Sequence, residues 1–184
     1  MAKILDPELA KINFMNQGVR MNSWNGLEPI KPNESQISSL FFTKKSVYEL
    51  MNISKHVANW LKKGSWKILQ IDNSSYFYPD QEYILSTLLL GPTQQVNLVE
   101  HRTFLFDFGV GEKEDLQTEA VLSHLIYLML VYEAHCYFLS SGSDAGEMIA
   151  VQDCMIYFYG DCGRIDQARK LLEVLATEPM KPEF

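Results

Sequence analysis

The chain has 184 residues, 47 % apolar and 21 % charged, with 23 acidic side chains against 16 basic ones and a formal net charge of −7. That apolar content over this length argues against wholesale disorder and is enough to bury a sizeable core. The acidic balance argues against nucleic-acid binding, which needs lysines and arginines to neutralise phosphates, and against adsorption to anionic membranes; it suits attraction to a basic partner.

Residues 1–40 read as a loop-rich N-terminal segment. Within it "DPELAKINFM" begins a short helix, with Asp6 as cap and Pro7 at the first helical position. "NSWNGLEPIKPNES" then strings together Asn-Gly, Glu-Pro and Lys-Pro turn signals. Residues 41–178 read as one α/β-type domain. In "TKKSVYELMNISKHVANWLKKG", Val47, Leu50, Met51, Val57, Ala58 and Leu61 approximate one helical face, and Gly64 supplies a stop. "SWKILQID" reads as a strand, "PDQEYILSTLLLG" as a helix closed by Gly91-Pro92, and "HRTFLFDF" as an alternating strand. A long helix follows, from about Asp115 to Leu139. "SGSDAGE" reads as a loop, "MIAVQDCMIYFYG" as a strand or hairpin, and "RIDQARKLLEVLATE" as a terminal amphipathic helix. This alternation predicts an α+β or α/β fold with helices packed on a sheet; the hairpin-like "QDCMIYFYGD" favours a mixed sheet. Residues 179–184 read as a frayed tail.

Cys136, Cys154 and Cys162 are odd in number and form no C-x-x-C pair, which argues against a disulfide framework or a zinc or redox site. The first residues hold no continuous apolar run ahead of a small-residue cleavage site, so a cytoplasmic location is expected.

"LSHLIYLMLVYEAHCYFLSS", Leu122 to Ser141, is apolar almost all the way round yet carries His124, Glu133 and His135. Its length suffices for a membrane span. An ionised residue near the centre of a span costs about 2.5–3.5 kcal/mol, however, and the flank "EKEDLQTE" is acidic, so a buried core helix is the better reading. On such a helix His124 and His135 lie roughly 16 Å apart at 1.5 Å per residue and cannot share a metal. The order Glu-Ala-His is not the zinc-binding H-E-x-x-H. His135 is expected to meet Asp153 or Asp144 on the returning chain: a structural hydrogen bond, or alternatively an acid/base cluster with Glu133.

Gly109-Val110-Gly111 follows a strand where a phosphate loop would begin, but the third glycine and the Gly-Lys-Ser/Thr are missing. Glu112, Glu114 and Asp115 would repel phosphate; they suit the start of the next helix, where the macrodipole favours negative charge. Asp72, Asp107 and Asp161 each stand near a strand end. Parallel strands would gather them at one edge, where three carboxylates can take magnesium, but aspartate there is also ordinary turn chemistry. The sequence implies no catalytic residue, no metal and no cofactor.

What stands out is a pair of acidic loops, "SSYFYPDQEY", which bears Tyr76, Tyr78 and Tyr83, and "GVGEKEDLQTE". In size, charge and absence of an active-site motif the chain resembles the small acidic immunity proteins that bacteria encode beside secreted antibacterial toxins. The resemblance implies a cytoplasmic, non-catalytic inhibitor that covers the active site of a basic toxin. It places Asp72, Tyr76, Tyr78, Asp80, Glu82, Asp107, Glu112, Glu114 and Asp115 at the interface, carboxylates attracting the partner and tyrosines supplying buried area. The alternative is a small-molecule binder or hydrolase-like enzyme built on Glu133, His135, Asp144 and Asp153.

Overall fold

The computed structural model describes residues 2–23, 26–30, 36–42, 45–61, 66–94, 96–98, 100, 102–107, 112–140 and 147–177, with side chains for all of these except 36–39, 41, 66, 107, 112–118 and 177. Residues 109–111 of the expected loop "GVGEKED", residues 141–146 of the expected loop "SGSDAGE" and the tail at 179–184 lie outside them.

Helix starts follow local chemistry. In α1 (Pro7–Asn16) the Asp6 carboxylate accepts the Glu8 and Leu9 amides, and Pro7 opens the first turn. In α2 (Val47–Trp60) Ser46 and Glu49 form a reciprocal capping box. α3 (Pro79–Leu90) again begins on proline, and Gly91, at φ 95°, ends it. α4 (Glu112–Val131) and α5 (Cys162–Thr177) complete the helices among the described residues.

The strands are β1 (Lys3–Ile4), β2 (Val19–Met21), β3 (Leu27–Pro29), β4 (Gln36–Phe41), β5 (Trp66–Ile71), β6 (Thr103–Asp107), β7 (Cys136–Ser140), β8 (Met148–Gln152) and β9 (Met155–Tyr159). Six of them make an antiparallel sheet in the order β6-β5-β7-β8-β9-β4, extended at the β6 edge by the two-residue β1; β2 and β3 form a separate hairpin. Every pairing is antiparallel, so the fold is α+β. The stretch 1–40, expected to be loop-rich, contains β1, α1, the β2–β3 hairpin and most of β4.

The long helix is shorter than expected. It stops at Val131, and Cys136–Ser140 is a strand at the middle of the sheet. The stop is a left-handed cap: Glu133 takes φ 50°, its amide donates to Leu130, and the Ala134 amide donates back to Met129. β7 is hydrogen-bonded on both sides, to β5 and β8, and all five of its residues are buried. A strand buried on both faces reads as a continuous apolar run, which periodicity alone does not separate from a buried helix.

The two faces of the sheet carry different layers. α2, α3, α4 and α5 pack on the face bearing Leu69, Phe104, Phe138 and Phe158. α1 and the β2–β3 hairpin cover the opposite face, with Phe14, Val19 and Leu27 against Ile68, Tyr137 and Leu139. The β5 alternation also turns Lys67 to the side of Leu69 and Ile71, fully buried. α5 is anchored by a buried group. Arg164 lies over the Trp60 ring at 4.1 Å and 3.0 Å from Glu147, and its guanidinium also donates to Gln167 Oε1 and the Trp60 carbonyl. The Trp60 indole N–H returns a bond to the Arg164 carbonyl at 3.2 Å. Among the described residues no helix is long and apolar enough to cross a membrane.

Candidate functional site

Antiparallel order decides which polar residues meet. Asp107 pairs with Trp66 at the start of β5, whereas Asp72 follows its last residue. Asp161 follows β9, which ends beside the first residue of β8. Asp107 and Asp161 therefore lie at the end of the sheet opposite Asp72. β6 and β9 are themselves four strand spacings apart, roughly 19 Å at about 4.8 Å each. The three carboxylates that parallel strands would gather cannot share an ion. Among the described residues no group of three or more His, Cys, Asp or Glu is placed to hold a metal.

The Asp72 end holds a dense polar cluster. After β5 the chain turns through Asp72-Asn73-Ser74-Ser75, and Asp72 Oδ1 accepts both the Ser74 amide and its hydroxyl at 2.8 Å. This is an Asx turn reinforced by the serine side chain. Ser75 Oγ donates to the His135 carbonyl at 2.9 Å and accepts the His135 amide at 2.8 Å, tying the turn to the start of β7. Arg102, just before β6, donates through Nη1 to the Asp72 and Ser75 carbonyls. Burial pulls the Arg102 pKa down, and the neighbouring Asp72 charge opposes that shift.

Beneath this turn sits Tyr137, 2 % exposed, whose hydroxyl accepts a bond from Gln152 Nε2. Burial, with the Asp72 charge adding to it, pushes the phenol far above its usual range. The β2–β3 hairpin closes over the cluster with Gly26. A Cβ there would stand 2.6 Å from the Tyr137 hydroxyl and 2.9 Å from Asp72 Oδ2, so only backbone fits. Asn22 fixes the approach, accepting the Gly26 amide on Oδ1 and donating its own amide to the Gly26 carbonyl, both at 2.9 Å.

His135 bridges the Asp72 turn and the β8–β9 hairpin. Its Nε2 accepts the Asp153 amide at 3.2 Å, and the Asp153 carboxylate is 3.6 Å away. Its Nδ1 lies 3.0 Å from Ser74 Oγ. A ring nitrogen that accepts an amide carries no proton, so these partners place the hydrogen of the neutral ring on Nδ1. Nδ1–H then donates to Ser74, whose own hydrogen is directed to Asp72. A histidine that activates a serine nucleophile takes the hydroxyl proton, and here the donation runs the other way. The hairpin turn itself uses left-handed conformations at two non-glycine residues, Asp153 at φ 49° and Cys154 at φ 62°. The Cys154 carbonyl accepts the Phe42 amide at 3.0 Å, which pins the turn beside edge strand β4.

Next along the chain, the surface changes character. Tyr76 and Tyr78 are 77 % and 65 % exposed, with ring centroids 6.2 Å apart and planes at 87°. Phe77 between them turns inward and meets Tyr132 edge-on at 6.3 Å. Tyr83 and Ile84 on α3 are also about half exposed. Asp80 is exposed in the first turn of α3, near enough to add to the upward shift that burial gives the Tyr132 phenol.

Of the carboxylates expected at an interface, Asp80 is open to solvent. Glu82 bends back to accept the Leu98 amide at 2.6 Å. Asp72, expected among the exposed acids, is buried and engaged by Ser74. Glu112, Glu114 and Asp115 form the first turn of α4 rather than a loop; their side chains, and that of Asp107, lie outside those described. His135 and Asp153 come together as expected. Glu133 is the exposed left-handed cap of α4, and Asp144 lies outside the described residues. Ser74, Ser75, Arg102, Tyr137 and Gln152 were not singled out by the sequence; the Asp-x-Ser turn signature in "IDNSS" is the one local cue that pointed there.

Comparison with protein-family models, with curated proteins and with solved structures finds no match for this chain.

Proposed function

We propose that this chain is a non-catalytic binding protein that engages a basic protein partner through the tyrosine face at the start of α3. The reading supported by charge and size is a bacterial immunity protein that covers the active site of a cognate antibacterial toxin from the cytoplasm. The observation that carries it is the exposure of Tyr76, Tyr78, Tyr83 and Ile84 in one short stretch beside the Asp80 carboxylate. Side chains of 150–250 Å² each, exposed to this extent, present on the order of 400 Å² of mainly apolar surface, the size of a functional patch and about half of one side of a standard interface. Tyrosine supplies such area at little conformational cost, and a net charge of −7 speeds the approach of a cationic partner. The His135 cluster supports the same reading, since His135 donates to Ser74, whose own hydrogen goes to Asp72 rather than to the imidazole.

The experiment is protection in a bacterial host. Co-expression of this chain with the basic protein encoded beside it should restore growth that the partner alone suppresses, and a Tyr76→Ala/Tyr78→Ala chain should not restore it. A neighbouring product that is harmless alone, or equal protection by the double variant, overturns the proposal.

A further inference from the structure

A second surface feature lies away from these residues, where α2 crosses α4. There a groove of about 500 Å³ opens between the helices. Its floor is made by two small side chains: Ser54 Oγ, which donates to the Met51 carbonyl at 2.8 Å, stands 3.3 Å from Ser123 Oγ. Small residues at a crossing bring the helices close, and the larger side chains on either side then stand apart. The walls are Met51, 53 % exposed, and Tyr127.

Besides Asn52 and the floor serines, Lys55 and His124 bring polar heads to this apolar trough. Lys55 lines it, exposed, and makes no ion pair or hydrogen bond among the described residues. His124 lines the other side, its Nδ1 2.6 Å from the Ala120 carbonyl. A carbonyl only accepts, so Nδ1 carries the hydrogen and Nε2 is left as an acceptor. Among the described residues no carboxylate lines the groove, in a chain where acids outnumber bases by 23 to 16.

We propose that this groove binds a small aromatic carboxylate that also carries an N–H or O–H donor. The aromatic body lies between Met51 and Tyr127, where thioether and ring both favour a π-face. The carboxylate pairs with the Lys55 ammonium, and the donor reaches His124 Nε2. A single lysine, without arginine or an array of backbone amides, suits a monoanion rather than a phosphate. The volume falls within the range of small-ligand sites, about 300–1,000 Å³. This site is independent of the tyrosine face and does not rest on the partner proposal.

The test is titration of the full-length ¹⁵N-labelled chain with indole-3-acetate at millimolar concentrations, followed by amide shifts. Saturable shifts confined to α2 and α4 are expected. Lys55→Gln should weaken binding about fivefold while Lys55→Arg retains it, as for an exposed ion pair. 1-Methylindole-3-acetate, which lacks the N–H, should bind about threefold more weakly, and His124→Phe should abolish that preference. Both substituted positions are exposed, so loss of folding does not cloud the readout. Absence of saturation, shifts elsewhere, or unchanged binding by Lys55→Gln overturns the proposal. So does saturation of the same amides by a glutamate-rich peptide but not by indole-3-acetate, which would make the groove a protein-docking surface.

Discussion

Replacing Glu147 by leucine should destabilise the chain far more than a surface substitution, because it strands a buried cation. Arg164 is 5 % exposed and Glu147 8 %, and their charged atoms are 3.0 Å apart. Removing one partner of such a pair costs about 3–5 kcal/mol, since the remaining charge keeps its desolvation without its counter-charge. Here Arg164 retains Gln167 Oε1, the Trp60 carbonyl and the Trp60 ring, which points to the lower end, about 3 kcal/mol. With a urea dependence of about 2 kcal/mol per molar, the midpoint should fall by about 1.5 M. Trp60, in contact with Arg164, makes tryptophan fluorescence a direct reporter. The double variant Glu147→Leu/Arg164→Met removes both charges, so it should lose less than the sum of the two single variants, with a coupling of about 2 kcal/mol. A Glu147→Leu cost below about 1 kcal/mol, or additive single and double variants, would refute the reasoning.

Three further outcomes follow from the Asp72 end of the sheet. Gly26→Ala should destabilise by about 1–3 kcal/mol in urea unfolding, as overpacking against a held Tyr137 hydroxyl and Asp72; a neutral effect would show that the hairpin does not close on them. Burial pushes both the Cys136 thiol and the Tyr137 phenol above their ordinary values of 9.0 and 10.0. The folded state therefore keeps protons that the unfolded chain loses. Stability should be full below pH 9 and decline as pH rises, by about 1.4 kcal/mol per pH unit for each group past its unfolded value. Cys136→Ala should remove one such increment between pH 9 and 10, and an unchanged slope would contradict the burial of the thiol. Ser74, with its hydrogen directed to Asp72, should not be labelled by a fluorophosphonate probe; stoichiometric labelling would reinstate the enzyme reading.

How far the sequence spoke for itself depended on the range of each interaction. Asp6-Pro7 marked the start of α1, and the alternation of "RTFLFDF" marked β6, because caps and pleats are local signals. β7 was lost into the preceding helix because its five buried residues look alike to any period; the left-handed turn at Glu133 that separates them sits on a residue type that rarely adopts it. The β2–β3 hairpin hid among turn signals, its strands being only three residues each. In the candidate site, the His135–Asp153 approach was legible because the short "SGSDAGE" return brings "MIAVQD" back alongside His135 whether that residue ends a helix or opens a strand. The inward turn of Asp72 was not, since it depends on Ser74 and on a glycine contributed from a hairpin far away in sequence. The openness of Tyr76 and Tyr78 agreed with their placement in a proline-terminated acidic loop.

The central claim, a basic partner held on the tyrosine face, is tested most directly by isothermal titration of this chain and of Tyr76→Ala/Tyr78→Ala against the basic protein encoded beside it. One-to-one binding is predicted for the parent chain, weakened at least about 100-fold by the double substitution, as for two buried aromatic anchors. Absence of heat with the parent chain, or equal affinity for both, would contradict the account.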